Sequence, residues 1–362
     1  MAIDEEIEKT KKKLRETPVN KSTETDRGRL KAKIARLKEK KDKKEKESQA
    51  SGQGYAVKHR GDATVSLVGP PSVGKSTLLN RLTNAESDVA GYEFTTLEVV
   101  PGMMKHKGAN IQILDVPGLV SGASEDIGGG KQVLSVIRNS DLVVIVVDEE
   151  KIDMVSRMKK ELYGAGVRLD KEPPNMDVFK KSEGGIEIST TRNVALEKDT
   201  MEEVLRENGF LNCKVVVRDD ITLDEFIDGL MENRVYIPSI VCFNKTDKVI
   251  SSELEEIRKG RKDWIFVSAE ERENLEKLRE MIWQKLGLMR VYMKKRGKEP
   301  DREEPLIVES GSTVHDVMDS LNKSFSKELS YAKIWGESAK FPGQKVGGEH
   351  TLVDRDVVEL RF

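Results

Sequence analysis

The sequence predicts an α/β protein whose central domain is a mostly parallel sheet with helices on both faces, accompanied by smaller helical and α+β parts. Three observations predict it. From Ala63 onward, short apolar runs alternate with helical stretches: TVSLV, GKSTLLNRL, IQILDV, KQVLSVIRNS, LVVIVVD and KIDMVSRMKKEL, resuming at IPSIVCFN and WIFVS and ending in NLEKLREMIWQKL. A glycine-rich phosphate loop lies between the first strand and the first helix of that series. On either side the pattern changes, to charged helical periodicity before residue 60 and to short glycine-punctuated strands after about Leu288.

At the amino end, Ile3, Ile7 and Leu14, then Leu30, Ile34 and Leu37, recur at helical spacing, with Pro18 and Asn20 between them. This predicts a basic helix-turn-helix over 1–50, ending in KEKKDKKEKE and followed by the linker SQASGQGY. Residues 1 to 60 hold 19 Lys+Arg against 11 Asp+Glu, although the whole chain carries a formal charge of only -2. The basic end is therefore where a polyanionic partner is expected, met through phosphates rather than base stacking if it is a nucleic acid. The plainer alternative is a solvated helix pair packed on the central core. The central domain is expected over 60–165 and 235–288, interrupted by an insert at 166–234 with PP, GG and a Val-rich strand of its own. From Asp115 to Asn244 is 129 residues, about 70 more than a minimal core of this type places there. A last module over 289–362 reads as strand, helix and several short strands. Cys213 and Cys242 sit in apolar runs, which predicts buried thiols in a reducing, cytoplasmic setting. The longest apolar run, Leu142 to Val147, is too short to cross a bilayer, and MAIDEEIEKTKKK has no apolar signal core, so no membrane association is expected.

Gly69-Pro70-Pro71-Ser72-Val73-Gly74-Lys75-Ser76 fits GxxxxGK[ST] after a strand and before a helix, so backbone N–H groups should converge on a phosphate there. Gly69, Pro70, Ser72, Val73, Gly74, Lys75, Ser76 and Thr77 are the nucleotide-binding candidates of this stretch. Lys75 is expected to bridge the β- and γ-phosphates and Ser76 to hold Mg²⁺. Asn244-Lys245-Thr246-Asp247 follows a buried-strand run, and a carboxylate at Asp247 can accept from guanine N1–H and the N2 amine, which adenine does not offer. Lys245 should cover the base, Asn244 should tie this loop to the phosphate loop, and Ser268-Ala269 should supply the last base contact. These assignments predict GTP and GDP as ligands and argue against a small-molecule kinase.

Asp115 in DVPG is the expected Mg²⁺-side carboxylate, and Gly118 offers an N–H to the transferred phosphoryl group. Thr96, with Thr95 as alternative, is the candidate for a loop that caps the metal. Leu119 stands where many related enzymes place a water-orienting glutamine, so hydrolysis is expected to be slow and to need another group, a monovalent cation or a partner. His59, His106, His315 and His350 show no metal spacing, and Trp264, Trp283 and Trp335 are expected in cores.

LKAKIARLKEK, GPPSVGKSTLLN, YEFTTLEVVPG, ILDVPGLV, IGGGKQVL, FNKTD, YAKIWGESAK and QKVGGEHTLVDRDVVEL, in that order, resemble the developmentally regulated GTP-binding proteins, the DRG branch of the Obg-related GTPases. The resemblance runs almost end to end. It implies a helix-turn-helix, a GTPase core, an insert similar to domain two of ribosomal protein S5, and a carboxy-terminal TGS module of β-grasp form. It further implies association with ribosomes and translation, through the basic helices and the TGS module, and for eukaryotic relatives a regulatory protein partner. Several potassium-activated relatives carry asparagine where this chain has Ser72, so K⁺ dependence stays open. The expected function is a GTP-hydrolysing, Mg²⁺-dependent switch linked to translation; the alternative is an RNA- or ribosome-binding scaffold in which hydrolysis is incidental.

Overall fold

The structure is a computed structural model that describes residues 2–49, 61–83, 99–117, 130–191, 194–321 and 329–362. The chain opens with α1 (Ala2–Glu16) and α2 (Glu24–Gln49). It continues through β1 (Ala63–Val68), α3 (Lys75–Leu82), β2 (Val100–His106), β3 (Ala109–Asp115), α4 (Gly130–Arg138), β4 (Leu142–Val147) and α5 (Met154–Gly164). Next come β5 (Val167–Leu169), β6 (Met176–Lys180), β7 (Ile186–Thr190), α6 (Lys198–Glu207), β8 (Cys213–Val217), α7 (Leu223–Leu230) and β9 (Val235–Ile237). The α/β series resumes with β10 (Ser239–Phe243), α8 (Ser251–Arg258), β11 (Ile265–Phe266) and α9 (Leu275–Lys285). The carboxy-terminal part holds β12 (Leu288–Met293), β13 (Leu306–Glu309), α10 (Val314–Leu321), β14 (Tyr331–Trp335), β15 (Gln344–Val346) and β16 (Asp356–Arg361). Two compact units result, one of Met1–Tyr55 with Gly166–Tyr236 and one of Ala56–Ala165 with Ile237–Phe362.

In the larger unit six strands lie in the order β11-β10-β4-β1-β3-β2. All neighbours are parallel except β2 and β3, which form an antiparallel hairpin. Every residue of β1 and β4 is buried, as the uninterrupted apolar runs require of strands covered on both faces. The hairpin turns at Lys107 and Gly108, with φ of 51° and 87°, the paired positive values of a tight type I′ turn. The chain leaves β1 first to β3 on one side and then to β4 on the other, so the crevice at the carboxyl ends of these strands lies at a topological switch point. Cys242 is fully buried in this core, which pushes its thiol up to about 12.

The carboxy-terminal sheet, ordered β13-β12-β16-β14-β15, wraps α10, whose Val314, Val317 and Met318 pack with Met289, Val291 and Ile334. It joins the six-stranded core through a polar and aromatic seam. Glu280 on α9 accepts from Lys107 Nζ at 2.7 Å, and His106 Nε2 lies 3.2 Å away. Trp283 is buried beside them, with Lys107 Nζ 5.5 Å and the Arg290 guanidinium 5.8 Å from its ring. Arg290 in turn makes a two-pronged pair with Asp354. Trp283 thus packs as expected, but Trp264 and Trp335 are only half-buried, under Arg261 and Lys294.

In the smaller unit α2 packs against α6 and α7 of the insert. Ala32 and Ala35 are buried among Met201, Val204, Leu205 and Phe226. A Cβ on Gly28 would sit 3.1 Å from Thr200 Cγ2, so the helices approach closely because the residues between them are small. The insert forms a sheet ordered β6-β8-β7 with Cys213, Val215 and Val217 facing this cluster. The expected basic surface is partly spent internally. Lys31, Lys33, Arg36, Lys41 and Lys43 pair with Asp224, Glu6, Glu207, Asp4 and Glu232. Deeper in, Asp228 is held by Arg168 Nε at 2.5 Å and Arg234 Nε at 2.7 Å, all three nearly excluded from water.

Asp228→Ala leaves two buried guanidinium groups without their shared carboxylate and should lower the unfolding free energy by about 3–5 kcal/mol, read by urea denaturation. At the seam, the hydrogen bond from Lys107 leads the effects that hold the Glu280 carboxyl down to about 2, below its ordinary 4.5. A depressed carboxyl adds stability that is present in full above about pH 4.5 and lost as pH falls towards 2. The melting temperature of wild type should exceed that of Glu280→Gln at neutral pH, with the gap narrowing only below pH 4.5.

Candidate functional site

The phosphate loop leaves the buried end of β1 beside β4. A Cβ on Gly69 would lie 2.3 Å from the Val146 carbonyl oxygen, so only glycine lets the loop start this close to the neighbouring strand. Pro70 and Val73 are buried, while Ser72 is exposed with φ of 66°. Gly74 has φ of 88°, and a side chain there would meet Asn244 Nδ2 at 2.5 Å. Lys75 opens α3 and donates from Nζ to the Gly69 and Pro70 carbonyls at 3.0 and 3.2 Å. Burial lowers the Lys75 ammonium pKa, opposed by Asp115 and reinforced by Lys151. Ser76 Oγ donates to Asp115 Oδ2 at 2.5 Å, and Thr77 follows, half-buried, on α3. The carboxyl end of β3 and the first turn of α3 therefore bring a hydroxyl and a carboxylate oxygen together at the loop.

The second motif meets the first. Asn244, 1% exposed, donates from Nδ2 to the Val73 carbonyl at 2.9 Å and accepts from the Ala269 N–H at 3.0 Å. One amide thus ties the phosphate loop, the NKTD loop and the Ser268-Ala269 loop together. Ser268 Oγ donates to Asp247 Oδ1 at 2.5 Å and accepts from the Glu271 N–H at 3.0 Å, which orients the Asp247 carboxylate. Lys245, with φ of 64°, reaches back to the Ser72 carbonyl at 2.5 Å and to Asp148 Oδ2 at 2.7 Å.

Of the sequence-derived candidates, Gly69, Pro70, Ser72, Val73, Gly74, Lys75, Ser76, Thr77, Asp115, Asn244, Lys245, Asp247, Ser268 and Ala269 lie on these adjoining loops and strand ends. Thr95, Thr96, Gly118, Leu119 and His59 fall outside the described residues. Sequence reasoning missed Asp148 and Lys151, whose Nζ donates to the Pro71 carbonyl at 2.8 Å. Asp148 carried a readable signal, a carboxylate directly after the apolar run of β4, the same placement that marked Asp115 after β3. Among the described residues no cluster of three or more His, Cys, Asp or Glu could hold a metal ion, and no helix is long and apolar enough to cross a membrane.

Gly74→Ala tests the close approach of the two loops. It meets both the left-handed backbone penalty, about 1–2 kcal/mol, and displacement of Asn244. Gly260→Ala, at φ of 77° with nothing within 4 Å, meets only the first. Gly74→Ala should shift the denaturation midpoint further than Gly260→Ala.

Residues 64–181 match the family model described as 50S ribosome-binding GTPase, 183–288 the C-terminal region of that domain, and 289–361 the TGS domain. The chain is 48% identical to the GTP-binding protein MJ1326 of Methanocaldococcus jannaschii, over 99% of this chain and 93% of that one. It is 38% identical to developmentally-regulated GTP-binding protein 2 of Bos taurus, over 99% of both chains. Among solved structures it is similar to the YchF GTPase of Schizosaccharomyces pombe, at 14% identity and a TM-score of 0.45, covering 84% of this chain and 99% of that one. Relatives this similar over the whole length, with the GTPase and TGS models matched in order, show that the chain belongs to the family of developmentally regulated GTP-binding proteins and is a GTPase.

Proposed function

We propose that this GTPase is a Mg²⁺-dependent switch that hydrolyses GTP slowly on its own and whose nucleotide state sets its affinity for a translation-related partner. The observation that carries the guanine reading is the lock of the NKTD loop onto the phosphate loop through Asn244, with Asp247 oriented by Ser268. That carboxylate suits the N1–H and N2 amine of guanine, with Lys245 along the base and Ala269 N–H near O6. At the other end, Lys75 would meet the β- and γ-phosphates and the backbone N–H groups of residues 69–76 would surround them.

The Ser76 hydroxyl and Asp115 carboxylate fit Mg²⁺, a hard cation that favours oxygen and takes most of its remaining ligands from phosphates and water. Bound there, the ion would neutralise charge on the phosphate oxygens. Lys75 and the loop N–H groups stabilise charge that builds on the transferred group as water attacks in line. With leucine at 119, no side chain in the usual position orients that water, which supports a slow basal rate and an external trigger such as K⁺ or a partner. In the switch reading, γ-phosphate contacts order the segments around Thr96 and Gly118.

The matching family's description as ribosome-binding supports a ribosomal partner, contacted through the amino-terminal helices and the TGS module. The scaffold alternative asks most of the basic helices, and five of their basic side chains already face carboxylates, so we give the switch precedence. GTP turnover should be measured with and without ribosomes, at matched sodium and potassium, with Lys75→Ala as the blank. Acceleration by ribosomes or potassium supports the switch; ribosome binding that survives Lys75→Ala unchanged favours the scaffold. In the same assay Asp247→Asn should weaken GTP about 100-fold or more and gain xanthosine triphosphate, whose C2 carbonyl accepts from an amide.

A further inference from the structure

Asp148 stands directly after β4, is 6% exposed, and belongs to none of the motifs that define the site. Its Oδ2 accepts from Lys245 Nζ at 2.7 Å, while its Oδ1 is buried and accepts no hydrogen bond among the described residues. A carboxylate removed from water with half its acceptor capacity unused is costly, so the fold has no reason of its own to favour it here. What it holds is more informative. Lys245 and Ser72 are both non-glycine residues in the left-handed region, with φ of 64° and 66°, and they sit on different loops. One ammonium group joins them, since Lys245 Nζ also donates to the Ser72 carbonyl at 2.5 Å.

We infer that Asp148 is a positioning residue for nucleotide retention, which fixes the Lys245 ammonium between the base loop and the phosphate loop and so holds the Lys245 stem in place along the base. This rests on the reading of Lys245 as the residue that flanks guanine. Lys245 is a flexible four-carbon chain with 29% of its side chain exposed, and without an anion beneath it the ammonium moves to water. Lys151, which donates to the neighbouring Pro71 carbonyl, cannot replace the anion because it carries the same charge. The phosphate chemistry sits with Lys75, Ser76 and Asp115, none of which touches Asp148 through a hydrogen bond. The effect of Asp148 therefore falls on residence of the nucleotide more than on the bond-breaking step.

The test uses the full chain and a fluorescent guanosine diphosphate in stopped-flow release, with steady-state GTP turnover alongside. Asp148→Asn keeps the shape and removes the charge. It should release the nucleotide about 10- to 100-fold faster and raise KM for GTP by a similar factor, the loss expected for a charge-assisted hydrogen bond, while kcat changes far less. Lys245→Met should speed release to a comparable degree, and Asp148→Asn added to it should have little further effect, because both act through one contact. Should Asp148→Asn not fold, Asp148→Ser takes its place in the cycle. Wild-type release rates in the variant at Asp148, or equal effects of that change with and without Lys245, would overturn the inference while Lys245→Met still weakens binding. If Lys245→Met itself leaves release and guanine preference unchanged, the inference and the reading of Lys245 fall together.

Discussion

The candidate nucleotide site depends on a single buried side-chain amide. Asn244 satisfies a carbonyl of the phosphate loop with its nitrogen and an N–H of the Ser268-Ala269 loop with its oxygen, from a position at the end of β10. A buried amide that lost either partner would strand a polar group without water, so the two loops are held at a fixed distance by a cost as much as by an attraction. The glycine at 74 follows from this. The backbone must pass within a methyl group's reach of Asn244 Nδ2, and at φ of 88° only glycine does so without strain. The sequence signature GxxxxGK[ST] and the distant NKTD are thus two halves of one packing problem.

That explains which parts of the site are legible in sequence. Phosphate-loop glycines, the strand-terminal Asp115 and the NKTD residues each answer a local requirement, a positive φ, a close approach or a carboxylate at a strand end, and local requirements leave short patterns. The fold class is legible for the same reason, since fully buried parallel strands read as uninterrupted apolar runs such as those of β1 and β4. The link from Asp148 through Lys245 to Ser72 joins residues 97 and 173 positions apart, so no short pattern contains it, although Asp148 by itself is marked by its place directly after β4. The β2–β3 hairpin also escapes notice: its turn is Lys107-Gly108 rather than an Asn-Gly or Asp-Gly pair.

The amino-terminal helices show how apolar periodicity identifies an element without identifying its neighbour. Ile7 and Leu37 are indeed buried. Yet the surface of α2 that meets the insert is marked by Gly28, Ala32 and Ala35, residues too small to register as a hydrophobic stripe. Charge is equally ambiguous. A lysine-rich helix looks like an anion-binding surface until its carboxylate partners, supplied by residues up to 193 positions away, are located. Exposed pairs of this kind contribute little stability each, but they fix which face of a helix remains available to a polyanion.

The same hairpin that sequence reading missed relates the nucleotide site to the carboxy-terminal module. Val100 pairs with Asp115 at one end of the β2–β3 ladder, and His106 pairs with Ala109 at the other, next to the Lys107 side chain that meets Glu280 and Trp283. Seven paired positions make a ladder of roughly 20 Å. Gly108 at its tip has Pro305 so close that a Cβ would fall 2.5 Å from the proline ring, and Pro305 leads directly into β13 of the module. Asp115, the carboxylate paired with Ser76, and the anchor of the TGS module therefore belong to one continuous piece of sheet. Asp115 at one end of the ladder and Lys107 at the other are thus connected through paired backbone, so the geometry of the seam at Glu280 and Trp283 is referred to the same strands that carry Asp115 beside Ser76.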